Sequence, residues 1–195
     1  MRAQLASARL GASASRPAGT ADGDGTQDLA GAVADHIRGR VALRGDHPEQ
    51  AGPDLELALS RYEAQGNTTA VSTCLSDLGR MALAMGDTGA AVRFHAQATA
   101  AAATTTDGTA VLAALEGLSA ALSARGDGTR AGYVLGAADV LRDAGLRPWD
   151  PAVDDRAATE AALALLLGEQ LLGQARSQGR DKDIADLLDS LPVTL

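Results

Sequence analysis

The sequence predicts an all-α stack of helical hairpins, and three observations carry that prediction. The first is a repeat. Leu75-x-x-Leu78-Gly79-x-x-Ala82 answers to Leu115-x-x-Leu118-Ser119-x-x-Leu122, and the turn Gly86-Asp87 answers to Gly126-Asp127. Ala91-x-x-x-His95-x-x-Ala98 then answers to Ala131-x-x-x-Leu135-x-x-Ala138, and every pair stands forty residues apart, the mark of stacked supersecondary units. The second is composition: 46% of the chain is hydrophobic but only 2% aromatic, so small aliphatic side chains carry the apolar content. Alanine is the best helix former and lets helices approach closely. The third is a shortage of the β-branched and aromatic residues that strands favour.

Taken in order, residues 1–26 read as a flexible arm rich in Ala, Ser, Gly and Asp, with Gln4–Leu10 at most a short helix. Asp22 and Asp24 are spaced as in a calcium loop. The later oxygen ligands and the closing Glu are missing, which favours a plain linker. Asp28–Leu43 reads as a helix with the apolar stripe Leu29, Val33, Ile37 and Val41. Its end, Gly39-Arg40-Val41-Ala42-Leu43, matches Gly79-Arg80-Met81-Ala82-Leu83 and implies a first, degraded repeat, with Arg38 where Leu78 and Leu118 stand. Gly45-Asp46 is its turn, one residue early. Leu55–Gln65 is its second helix and Gly66 the C-terminal cap. A register shifted by one residue stays open for this repeat.

Asn67 caps the next helix, which runs to about Met85, and Asp87 caps the one from near Thr88. That helix fades in the loop Thr104-Thr105-Thr106-Asp107-Gly108. The third hairpin covers about Thr109–Ala124 and Gly128–Ala144; Gly145 ends it, and Arg147-Pro148-Trp149-Asp150-Pro151 breaks the helical pattern. Val153–Leu167, Glu169–Gln178 and, beyond Gly179, Asp181–Leu191 are expected to cover the open end of the stack. The expected organisation is an arm over 1–26, about three hairpins over 27–146 and closing helices over 147–195.

The net charge of −8 disfavours direct nucleic-acid binding and contact with anionic lipid. Cys74 is the only cysteine, which fits a reducing cytoplasm. Arg9 interrupts what would be a signal peptide's apolar core, and no apolar run approaches the ~20 residues of a membrane span, so a cytoplasmic location is expected.

In a stack of this kind the first helix of each hairpin lines the concave face. Leu75, Leu78 and Ala82 turn to the partner helix, so the groove takes Ser76, Arg80 and Leu83. One repeat back these become His36, Arg40 and Leu43; one repeat forward, Glu116, Ala120 and Ser123. Arg40 and Arg80 then project in register. Two guanidinium groups suit an acidic peptide or a terminal carboxylate, because each can bind a carboxylate through two parallel hydrogen bonds. Glu116 would repel that ligand or pair with Arg80. The plain alternative is a pair of solvated arginines at helical spacing. A shallow groove with both arginines exposed would speak for a partner-binding scaffold. A deep cavity with converging polar groups would speak for a small-ligand or catalytic domain between the third hairpin and the closing helices.

No catalytic, cofactor or metal site is expected. The chain lacks G-x-x-x-x-G-K-[ST] and G-x-S-x-G. His36, His47 and His95 have no ligand spacing, which makes His95 a filler between helices, and Cys74 reads as a buried structural thiol. Asp154 and Asp155 suit a helix start, and Trp149 an anchor for its loop.

The Leu-x-x-Leu-Gly…Gly-Asp…Ala-x-x-x-large-x-x-Ala pattern resembles the tetratricopeptide repeat in a long-helix form, which implies a right-handed solenoid with capping helices at its C-terminal end. More narrowly, Leu55–Tyr62 with Gly66-Asn67, then Leu75–Asp87 and above all Leu115–Gly145, resemble the C-terminal repeat arm of actinobacterial LuxR- and SARP-type signal-transduction ATPase regulators. The resemblance spans about residues 28–190. It implies a non-enzymatic arm that senses a protein, peptide or small effector and signals to an ATPase switch and a DNA-binding module. His95 and Val134 stand where that arm commonly has larger apolar or aromatic side chains. In Gly179–Leu188 the tail is similar to the first helix of a helix-turn-helix, with too little chain after it for a recognition helix.

Overall fold

A computed structural model describes residues 24–45, 47–148 and 156–191, the first four of these without their side chains. The expectations for residues 1–23, Asp46, Trp149, Asp154 and Asp155 lie outside the described residues. Among the described residues the chain is all helical. Three antiparallel hairpins follow one another: α1 (Asp24–Arg44) with α2 (Pro48–Ala64), α3 (Thr68–Ala84) with α4 (Thr88–Ala103), and α5 (Gly108–Ala124) with α6 (Gly128–Asp143). Three shorter helices follow: α7 (Arg156–Leu167), α8 (Glu169–Arg180) and α9 (Ile184–Asp189). No described helix is long and apolar enough to cross a membrane.

The forty-residue step is the packing rule of the hairpins. Ala51, Leu55 and Ala58 on α2 are fully buried, as are Leu135, Ala131 and Ala138 on α6, and Ala91, His95 and Ala98 on α4 are within 1% of it. The first hairpin therefore keeps the same register in its second helix. That helix begins at Pro48, well before the expected Leu55, because proline at a helix start has no N–H to leave unsatisfied. Capping marks the boundaries. Asn67 Oδ1 accepts from Ala70 N at 3.2 Å, Asp87 Oδ1 from Ala90 N at 2.8 Å and Asp127 Oδ1 from Arg130 N at 3.5 Å. Gly86 and Gly126 close the preceding helices at φ 77° and 85°, a left-handed turn that a Cβ would strain.

The helix α1 corrects the sequence reading. Its stripe of Leu29, Val33, Ile37 and Val41 faces outward, with Val41 64% exposed, while Ala32, Asp35, His36 and Gly39 are buried. Small residues decide the face: a Cβ at Gly39 would lie 2.6 Å from Leu55 Cγ, so only glycine lets α2 come this close. Asp35 is neutralised there by Arg38 and Arg61. Arg38 thus serves the first hairpin as an ion-pair partner where the later hairpins use the buried Leu78 and Leu118. One repeat on, the outward positions become Asp77, which meets His36, and Met81, which lies against Gly52. They are the stacking edge of a hairpin, and α1 is the first described helix.

The closing helices pack by close backbone approach. A Cβ at Gly136 of α6 would fall 2.0 Å from the Arg176 carbonyl oxygen of α8, and one at Gly179 would fall 1.9 Å from that of Tyr133. Gly179, read from sequence as a break, is a packing residue inside α8. The last helix is shorter than expected, Ile184–Asp189, and Asp183 caps it by accepting from Ala185 N at 2.8 Å.

Candidate functional site

The first helices of the hairpins run side by side, and a cleft opens along them. Its floor is α3 and α5; α1 stands at one end, and α7 with Pro148 closes the other. Its cavity volume is ≈ 70 Å³, room for a few waters or a small polar group. Arg40, Ser76, Arg80 and Glu116, all expected on the groove, line this cleft. His36, the fifth, is buried against Asp77 and Tyr62.

Asp77 organises the α1–α3 end. It is 5% exposed and accepts from His36 Nε2 at 2.9 Å and from Arg80 Nη1 at 3.2 Å, with Arg40 Nε at 3.5 Å. The Tyr62 hydroxyl meets the other His36 nitrogen at 3.5 Å, so the ring is held from both sides. One carboxylate thereby draws two guanidinium groups from neighbouring hairpins together. Burial lowers the Arg40 pKa, Arg44 and Arg80 lower it further, and Asp77 works against them.

Glu116, on α5, turns toward the closing helices. Arg142 donates to both its oxygens, Nε at 2.6 Å and Nη2 at 2.9 Å, and Arg156 Nη1 donates at 3.2 Å. Arg156 also pairs with Asp139 and with Glu160, at 2.8 Å for the latter, and Arg176 Nε reaches Asp139 at 2.9 Å. Burial opposes the charge on Arg156, and Asp139, Glu160 and Glu116 outweigh it, leaving its pKa raised. This network fastens α7 and α8 to α5 and α6 and presents Arg156 to the cleft.

His95 reaches the cleft from below. It belongs to α4, yet its ring is wedged between the backbones of α3 and α5. A Cβ at Gly79 would lie 2.6 Å from its Nε2, and one at Gly117 would lie 2.2 Å from its Cε1. The residue is 1% exposed, and neither ring nitrogen has a hydrogen-bond partner. Burial, assisted by Arg80 and opposed by Asp77, pushes its pKa down to about 4.

Sequence reasoning missed Asp77, His95 as a polar group, and Arg156. The available signal for Asp77 was a carboxylate set between the core leucines Leu75 and Leu78. Cys74 is buried, its Sγ donates to the Leu55 carbonyl at 3.1 Å, and burial pushes the thiol up to about 12. A thiol held protonated is no nucleophile at neutral pH. No group of His, Cys, Asp and Glu among the described residues is arranged to hold a metal ion.

Comparison with known proteins gives no relative. No family model, no curated protein and no solved structure matches the chain. The cleft's own chemistry therefore carries the functional argument.

Proposed function

We propose that this chain is a non-enzymatic helical-repeat module that binds a carboxylate-bearing ligand, a small effector or the end of a peptide, in the cleft along α1, α3 and α5. The observation that carries the reading is the placement of Arg40 and Arg80 side by side, held from behind by the buried carboxylate of Asp77. Held guanidinium groups lose little conformational freedom when they take up a planar anion. Arg156, Thr159 and Pro148 close one end of the cleft, which favours a small effector or chain end over a peptide running through.

The hairpins are read here as tetratricopeptide-like units wound right-handedly. The forty-residue pattern supports the repeat unit, as does the packing of Leu55 against Gly39 and of His95 against Gly79 of its partner helix. On this reading the module serves as the sensor arm of a LuxR- or SARP-type regulator, where occupancy of the cleft alters the contacts between hairpins and closing helices.

The test is calorimetric titration with a panel of mono-, di- and tricarboxylic acids and short peptides ending in Asp or Glu, on the wild type and on Arg80→Gln. At least one ligand should bind, and loss of a charged hydrogen-bond donor should weaken it by about tenfold or more with unchanged helicity. Equal affinity in the two proteins would overturn the reading.

A further inference from the structure

We infer that His95 sorts the ligands of this cleft, exchanging hydrogen bonds with a hydroxyl group carried by the carboxylate-bearing ligand. The inference rests on the cleft being the ligand site, and it narrows the ligand class to hydroxy acids.

The hairpins themselves supply the comparison. The equivalent positions are Leu55, His95 and Leu135, all buried to within 1%. Leucine fills this place in the first and third hairpins; only the middle hairpin, the one under the cleft, puts an imidazole there. The other buried polar side chains nearby are satisfied inside the fold. Ser72 Oγ donates to the Ala98 carbonyl at 3.0 Å, Thr99 Oγ1 to that of His95 at 2.8 Å, and Ser119 Oγ to that of Ala131 at 2.9 Å. Among the described residues, the buried side-chain atoms left without a partner are the two His95 nitrogens and the Ser123 hydroxyl, and of these two residues His95 lines the cleft. An unpaired buried polar group costs stability, so its presence under the cleft calls for a partner.

The slot is also built for a ring. Glycine at both 79 and 117 leaves the imidazole edge between two backbones, where any Cβ would displace it. Asp77 and Arg80 of α3 and Glu116 of α5 line the same stretch of cleft. Burial keeps the ring neutral at neutral pH. Whichever tautomer it adopts, one nitrogen donates and the other accepts. A hydroxyl can answer either, whereas the carboxylate belongs to the arginines. His95 lines this cleft together with Arg80 and Leu83.

Three pairs of acids that differ by a hydroxyl test this: lactate with propionate, malate with succinate, and citrate with tricarballylate. Each is titrated into the wild type, His95→Leu and Arg80→Gln. In at least one pair the hydroxylated acid should bind the wild type about tenfold more tightly or better, as expected where a site's polar group is left unpaired by the analogue. His95→Leu should erase that difference and leave the plain acid unchanged, while Arg80→Gln should weaken both members. Independently of any variant, the His95 ring 15N shifts of the wild type should move with the hydroxylated acid and stay in place with its partner. Equal binding within every pair, or a His95→Leu effect common to both members, would overturn the inference and leave the carboxylate cleft standing. Failure of all six acids to bind would overturn the inference; the carboxylate reading falls with it only if the wider panel, peptides included, also fails to bind.

Discussion

Replacing His95 by leucine should make the protein more stable and less sensitive to acid. The wild type buries two ring nitrogens with no partner, and leucine is the residue that fills the equivalent place at 55 and 135. Removing an unsatisfied polar group contributes about 1–3 kcal/mol at neutral pH. The acid dependence adds to this. The ring's folded pKa, about 4, lies below its ordinary value of 6.5, so the unfolded chain takes up the proton first as the pH falls. Wild-type stability is therefore full above about pH 6.5 and declines down to about pH 4, by about 3 kcal/mol in all. The leucine variant lacks this loss. Urea melts of the two proteins should differ by about 1–3 kcal/mol at about pH 7.5, and the gap should widen by about 2 kcal/mol at about pH 5. A leucine variant that is less stable at both pH values, with a constant gap, would show that the ring is well partnered in solution and refute the reasoning.

Two further variants test the packing. Gly136→Ala should destabilise by about 3 kcal/mol in urea melts, because its Cβ would meet the Arg176 backbone, which cannot swing aside as a side chain can. A loss under about 0.5 kcal/mol would mean that α6 and α8 are not in backbone contact. Val41→Gln should change stability by no more than about 0.5 kcal/mol, since the side chain is 64% exposed, and a larger loss would restore the stripe read from sequence as a buried face.

Much of this architecture is legible in the sequence because the repeat makes the same packing decision three times. Ala131, Leu135 and Ala138 follow from Ala91, His95 and Ala98, and the helix ends follow from Asn67, Asp87 and Asp127, whereas the register of Ala51, Leu55 and Ala58 is fixed by the structure. The face of α1 is not legible. A periodicity argument weights large apolar residues and so chooses Leu29 and Ile37. The packing is decided by close approach at Ala32 and Gly39, whose side chains carry no such signal. The same limit hides the α6–α8 contact, where Gly136 and Gly179 matter for the atoms they lack. Of the cleft, the repeat locates Arg40, Ser76, Arg80 and Glu116, because equivalent positions on successive first helices must face alike. It does not reveal Asp77, whose partners His36 and Arg40 come from another hairpin. Nor does it reveal Arg156, which enters from a helix outside the repeat. Glu116 is settled by Arg142 and Arg156, contacts made across hairpins and closing helices rather than along one helix face.

The central claim is that Arg40 and Arg80, drawn together by Asp77, take up one anion. Side-chain 15Nε–1Hε spectra of the arginines, followed through a titration with citrate, test it most directly. The Arg40 and Arg80 signals should shift together and saturate at a common concentration, while surface arginines such as Arg130 and Arg147 stay in place. Shifts spread evenly over the surface arginines, or no saturable change at Arg40 and Arg80, would contradict it.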